Sequence, residues 1–167
     1  HRKPAADILR TPAVLQEDSL VWLSHRLLVA EDNDVNQLVI SRMLKKLGLS
    51  FDLVNNGARA LDAVSSNPDK YDLILMDCEM PEMDGYEASL RIRQFEEDNR
   101  LKPLPILALT AHVLDSHREK VIEKGMNDHI SKPVSLEMLK IKLEEYLPVA
   151  ARLSDQSDLL VRGDPRL

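Results

Sequence analysis

The apolar run Leu73-Ile74-Leu75-Met76 stops abruptly at Asp77, and a loop carrying Pro81 and Gly85 follows, in the stretch LILMDCEMPEMDG. Four consecutive apolar residues without polar alternation describe a strand buried on both faces, the kind found in parallel sheets sandwiched between helices. A carboxylate at the C-terminal end of such a strand stands where open α/β sheets hold their ligands. Asp77 is therefore a candidate reactive group rather than a surface charge.

The rest of the chain repeats the same alternation. Leu27 to Ala30 reads as a short strand ending in Glu31-Asp32, and Phe51 to Val54 as a second. Ile106 to Leu109 is a fourth strand ending in Thr110, and His129 to Ser131 a fifth, ahead of Lys132-Pro133. Between them the spacing predicts helices. Asp34 and Gln37 form a capping-box pattern before Val35, Leu38, Val39 and Met43, with Gly48 as a stop. Further helices are expected over Ala58 to Val64, about Tyr86 to Phe95, and about Ser116 to Lys124 closed by Gly125. The last one shows Leu136, Leu139, Ile141, Leu143 and Tyr146, with Ser135 as its cap. Five strands alternating with five helices imply an α/β fold with a parallel sheet covered on both faces, because each crossover is right-handed.

All C-terminal strand ends of such a sheet share one rim, so Glu31, Asp32, Asp77, Thr110 and Lys132 converge there. Three carboxylates close together repel, and burial strengthens the repulsion. Lys132 supplies one positive charge, which leaves a deficit that a divalent cation would fill. All-oxygen ligation without a His or Cys cluster favours Mg²⁺ or Mn²⁺ over zinc. A carboxylate attacking phosphorus gives an acyl phosphate, with metal and lysine neutralising the transferring oxygens. Asp77 suits that attack, and the Thr110 hydroxyl can donate to a phosphoryl oxygen afterwards. The competing reading is a structural metal site with Thr110 as a plain strand-end residue.

Composition bounds the remainder. With 44% hydrophobic and 30% charged residues, 167 residues can build a soluble core without disulfides. The net charge of −6, with no block of Lys and Arg, argues against nucleic acid as a direct partner. No apolar run approaches the roughly 18 residues of a membrane helix and no signal peptide is visible, so no direct membrane contact is expected. Cys78 is the only cysteine, consistent with a reducing cytosol. Beside Asp77 it could be a nucleophile, but a small apolar residue facing the other side of the strand is the better reading.

Residues 1–25 read as a linker or N-terminal extension in which Val14 to Trp22 has enough apolar residues to dock. Residues 148–167 read as a mobile tail. A chain that starts at His1 reads as a piece of a longer parent.

The stretches LLVAEDNDVNQ, DLILMDCEMPEMDGYEA, PILALTAH and GMNDHISKPV, in this order and spacing, resemble the receiver domain of two-component response regulators, most of all those of hybrid sensor histidine kinases. The resemblance covers about Arg26 to Leu147 (a domain at 26–147). It implies a flavodoxin-like, doubly wound sheet of order 2-1-3-4-5. Asp77 would be the phosphoacceptor in a phosphorelay, served by a phosphohistidine on a histidine kinase or histidine phosphotransfer domain. Glu31 and Asp32 would hold Mg²⁺, Asp32 more directly, and the backbone carbonyl of Glu79 would complete the protein ligands. Lys132 would bridge to the phosphoryl group, the bond to Pro133 would be cis, and Thr110 would be the switch hydroxyl. The family usually has an aromatic residue where this chain has His129, so His129 reads either as the switch partner or as a plain strand histidine. Glu79 and His112 occupy positions that tune loss of the phosphoryl group in relatives. The domain would be cytoplasmic, with a hybrid kinase anchored in the inner membrane as the parent.

Two alternatives stand beside this. A degenerate receiver used only for docking would lack a rim residue, and none is lacking. An aspartyl-phosphate phosphatase would carry its nucleophile on the first strand, with a second Asp two residues on; Glu31 and Asp32 are instead adjacent.

Overall fold

The structure, a computed structural model, describes residues 22, 24–111 and 115–147. The expected tail, most of the expected extension, and His112 lie outside the described residues. Strands β1 (Arg26–Ala30), β2 (Ser50–Val54), β3 (Leu73–Asp77), β4 (Ile106–Thr110) and β5 (Asp128–Ser131) alternate with helices α1 (Asp34–Lys46), α2 (Gly57–Ser66), α3 (Gly85–Asp98), α4 (Asp115–Glu123) and α5 (Leu136–Tyr146). The strands form one sheet of order β2-β1-β3-β4-β5. Every pairing is parallel, with Leu27 opposite Leu73, Ile74 opposite Ile106 and Thr110 opposite Ser131. This is the flavodoxin-like doubly wound architecture.

The central strands are buried along their whole length, as uninterrupted apolar runs require when helices cover both faces. Alternation along β3 divides the core. Leu73 and Leu75 join Ile40 and Leu44 of α1 and Leu139 and Leu143 of α5 on one face. Ile74 and Met76 join Ala60 and Val64 of α2, Ile92 of α3 and Val121 of α4 on the other. Trp22 is buried against the first of these clusters, four residues ahead of β1. No helix among the described residues is long and apolar enough to cross a membrane.

Helix ends follow local chemistry. Gly48 (φ 78°) and Gly125 (φ 84°) take the left-handed conformation that ends α1 and α4. At each, the glycine N–H and the one after it turn back onto carbonyls of the last turn, the second pair being Leu49 N to Leu44 O and Met126 N to Val121 O. Ser135 caps α5 as expected, accepting from Met138 N at 3.2 Å.

Two expectations are corrected. The cap of α1 is Asn33 rather than Asp34: its extended backbone lets Oδ1 accept from Asn36 N at 2.9 Å, and Asp34 becomes the first helical residue. Gln37 is therefore no capping-box partner and donates to the Glu31 carbonyl at 2.5 Å. The apolar positions that signalled α1 also point mostly outward: Val35, Leu38 and Val39 are 67%, 52% and 41% exposed, while Ile40, Ser41 and Leu44 face the sheet.

Candidate functional site

Each site residue stands where its strand stops. Glu31 and Asp32 follow β1, Asp77 and Thr110 end β3 and β4, and Lys132 follows β5. Parallel pairing brings these ends together in a cleft of about 210 Å³ lined by Glu31, Asp32, Asp77, Glu79, Thr110 and Lys132, with Asn33 and Asn36 at its edge. Lys132 Nζ lies 2.9 Å from Glu31 Oε1 and 3.1 Å from Asp77 Oδ2. The peptide bond that follows it, to Pro133, is cis, and Lys132 N donates to Thr110 O at 2.8 Å. Glu31, Asp77 and Thr110 are buried, whereas Asp32 is exposed.

The electrostatics leave a deficit. Oxygens of Glu31, Asp32 and Asp77 all lie within 4.8 Å of one another, with one ammonium among them. Burial, together with the Glu31 charge, pushes Asp77 up to about 7 despite the opposing pull of Lys132. Burial also raises Glu31, but the close Lys132 ammonium and the hydrogen bond from Asn33 N outweigh it and leave Glu31 below its ordinary value. Lys132 is held above its usual range: burial works against its charge, and contact with both carboxylates overcomes that. Without a further cation, Asp77 thus titrates around neutrality, while Glu31 carries a negative charge opposite Lys132.

The donor set suits a hard divalent ion. It is entirely oxygen, it mixes buried and exposed carboxylates, and Glu31 Oε1 is fully buried with the Lys132 ammonium near it but no aligned hydrogen bond. An ion there would restore Asp77 to its charged, nucleophilic form. Cys78 faces the opposite side of the strand, among Met76 and Tyr86. Burial raises its thiol above the ordinary range, so it is no thiolate nucleophile.

Of the expected residues, the cleft gathers Glu31, Asp32, Asp77, Glu79, Thr110 and Lys132 but not His129. That side chain lines a separate groove of about 510 Å³ with Arg118, Pro133, Met138 and Ile141. Its nearest acidic group is Asp128, 3.6 Å from Nδ1. Sequence reasoning missed Asn33 and Gln37 as supports of Glu31. Asn33 N donates to Glu31 Oε2 at 3.0 Å and Gln37 holds its carbonyl. Gln37 read instead as the capping-box partner of Asp34, and Asn33 carried no signal beyond its place directly after the acidic pair.

The family model of the response regulator receiver domain matches residues 27–144. The sensor histidine kinase GacS of Pseudomonas protegens is 36% identical over 136 residues, which are 81% of this chain; the chain spans 15% of that relative's length. Among solved structures, the receiver domain of the sensor histidine kinase PA1611 from Pseudomonas aeruginosa, with magnesium in its active-site cleft, is 40% identical. That match has a TM-score of 0.65 and covers 74% of this chain and 98% of the other. The receiver domain of the response regulator Ssk1 from Saccharomyces cerevisiae, crystallised with the histidine phosphotransfer protein Ypd1, is 33% identical. Its TM-score is 0.69, with 73% and 88% covered. With this fold, this rim and these matches, the chain belongs to the response regulator receiver domain family.

Proposed function

We propose that this receiver domain accepts a phosphoryl group from a phosphohistidine onto Asp77, within a phosphorelay whose parent protein is a hybrid sensor histidine kinase. One carboxylate oxygen of Asp77 forms the new O–P bond while the N–P bond to the donor imidazole breaks, and the imidazole leaves with the electron pair. Glu31, Asp32, Asp77 and the Glu79 carbonyl would hold Mg²⁺, with Mn²⁺ as a substitute. When bound, that ion neutralises charge on the transferring oxygens. Lys132, already 3.1 Å from Asp77, contributes a second positive charge to the phosphoryl group. The Thr110 hydroxyl donates to it once transfer is complete, and His129 responds through β5.

The observation that carries this reading is Asp77 itself: a buried carboxylate at the end of the central strand, within reach of a lysine and two more acids. The Ssk1 complex with Ypd1 supports a histidine phosphotransfer domain as the donor, and the PA1611 receiver supports magnesium. Nucleic acid and membrane are not expected to touch this domain, which would lie in the cytoplasm beneath an anchored parent. Incubation with a ³²P-labelled histidine phosphotransfer domain tests it. Label should move to the wild type with Mg²⁺ and not to Asp77→Asn. A wild type that takes no label from several such donors would leave docking alone as the role.

A further inference from the structure

The loop after Asp77 is fixed at both ends by contacts that admit no side chain. At its base Gly85 N donates to Cys78 O at 3.0 Å, and a Cβ on Gly85 would lie 2.1 Å from Asp77 O. Its tip is held from outside, by the turn that opens α2. Gly57 N donates to Met83 O at 2.8 Å. A Cβ on Gly57 would meet Met83 O at 2.3 Å and Asp84 O at 2.7 Å, both backbone atoms. Beside it, Asn56 is buried and makes two contacts. Its Oδ1 caps α2 by accepting from Arg59 N at 2.8 Å, and its Nδ2 donates to Glu82 Oε2 at 3.3 Å.

Glu82 itself has φ 66°, a left-handed conformation that is unfavourable for a residue with a Cβ and persists where the surroundings enforce it. Met83 N turning back to Pro81 O at 2.7 Å tightens the same bend. The segment between the two glycine contacts includes Glu79, whose N–H donates to Asp77 Oδ1 at 3.3 Å.

We propose that Asn56 and Gly57 are positioning residues for the phosphoacceptor site: the turn before α2 sets the path of residues 79–84, and so where the Glu79 carbonyl stands relative to Asp77. This rests on the metal-assisted reading given above. The Asn56–Gly57 turn is not part of the cleft lining and touches no reacting atom; it acts through the loop. A loosened tip lets the loop drift and lowers metal affinity before it disturbs the sheet, because the strands on either side are buried independently of it.

The experiment compares wild type, Gly57→Ala and Asn56→Ser. Mg²⁺ affinity is measured by NMR titration, and amide hydrogen exchange at residues 79–84 is measured in metal-free protein. Gly57→Ala should weaken Mg²⁺ binding about tenfold, equivalent to about 1.4 kcal/mol. Asn56→Ser keeps a capping oxygen but is too short to reach Glu82, and should weaken binding about threefold, a smaller loss than the tenfold that corresponds to 1.4 kcal/mol. Both should speed exchange at residues 79–84 while protection of β1, β3 and β4 is retained. A folded Gly57→Ala protein with Mg²⁺ affinity within about twofold of wild type and unchanged loop exchange overturns the proposal. If Gly57→Ala does not fold, Asn56→Ser decides on the same two measurements. A wild type that binds no Mg²⁺ overturns the phosphoacceptor reading instead, and loop exchange in the metal-free variants still decides the clamp.

Discussion

Asp77 illustrates how a single side chain is held away from its resting preference. Burial and Glu31 push it up to about 7 from an ordinary 3.8, so the folded state binds a proton that the unfolded chain releases. For an acid whose folded value is raised, the stabilising contribution is complete below the unfolded value and is lost as pH rises through the folded one. The window therefore runs from about pH 4 to about pH 7 on these values. Asp77→Asn removes the penalty. In EDTA at pH 8 the variant should be more stable than wild type by on the order of 2 kcal/mol, with the gain vanishing near pH 4. Thermal unfolding across that range checks it; a gain independent of pH would contradict the burial of an ionising Asp77. That Asp77, Glu31, Asp32 and Lys132 share one rim was legible because strand ends announce themselves in sequence. The supports of Glu31 were not: Asn33 is helix cap through its side chain and brace through its N–H at once, and a backbone N–H leaves no mark on residue type.

Between elements, a buried polar node ties α3 to the far end of the sheet. Glu96 accepts from Arg93 Nη1 at 2.7 Å and from Leu104 N at 2.7 Å. Arg93 also donates to Gly125 O and to Asn127 Oδ1, and Asn127 Oδ1 accepts from Ile106 N at 2.8 Å. The helix that begins beside Asp77 is thus fastened at its other end to the start of β4 and the α4–β5 turn. Glu96→Ala would leave Leu104 N without its acceptor and take the carboxylate from a guanidinium that keeps two other acceptors, and should cost about 2 kcal/mol, measured by urea denaturation; Glu96→Gln should cost less, since it still accepts from Leu104 N. A loss below about 0.5 kcal/mol for the alanine variant, the range of ordinary surface changes, would contradict the node. Sequence showed these helices by period and by their caps but could not orient them. In α1 apolar residues occur on both sides, so periodicity announces a helix without saying that Ile40 and Leu44, rather than Val35 and Leu38, meet the sheet. The Glu96 node was invisible because it closes through Gly125 and Asn127, 32 and 34 residues from Arg93 along the chain.

Across the whole molecule, the strand order predicted from resemblance is the one observed, and the cleft follows from it: parallel strands deliver every C-terminal end to one rim. On the proposed reading, communication outward would run through the pairing of β4 with β5. Thr110 pairs with Ser131 and Ala108 with His129 across β4 and β5, so a shift of Thr110 toward a phosphoryl oxygen would pull on the edge strand. A full reversal of a two-state equilibrium takes about 5.5 kcal/mol, and one hydrogen bond to a charged group supplies about 1.5–3 kcal/mol. Activation should therefore be a partial population shift. With Mg²⁺ and beryllofluoride, NMR resonances of Thr110 and His129 should move to averaged positions; unchanged resonances would rule out this route. The most direct test of the central claim is intact-mass measurement after incubation with acetyl phosphate and Mg²⁺. Wild type should gain the mass of one phosphoryl group, and the gain should be absent in EDTA and in Asp77→Asn. A wild type that gains nothing, or an Asp77→Asn variant that gains the same mass, would contradict phosphoryl acceptance at Asp77.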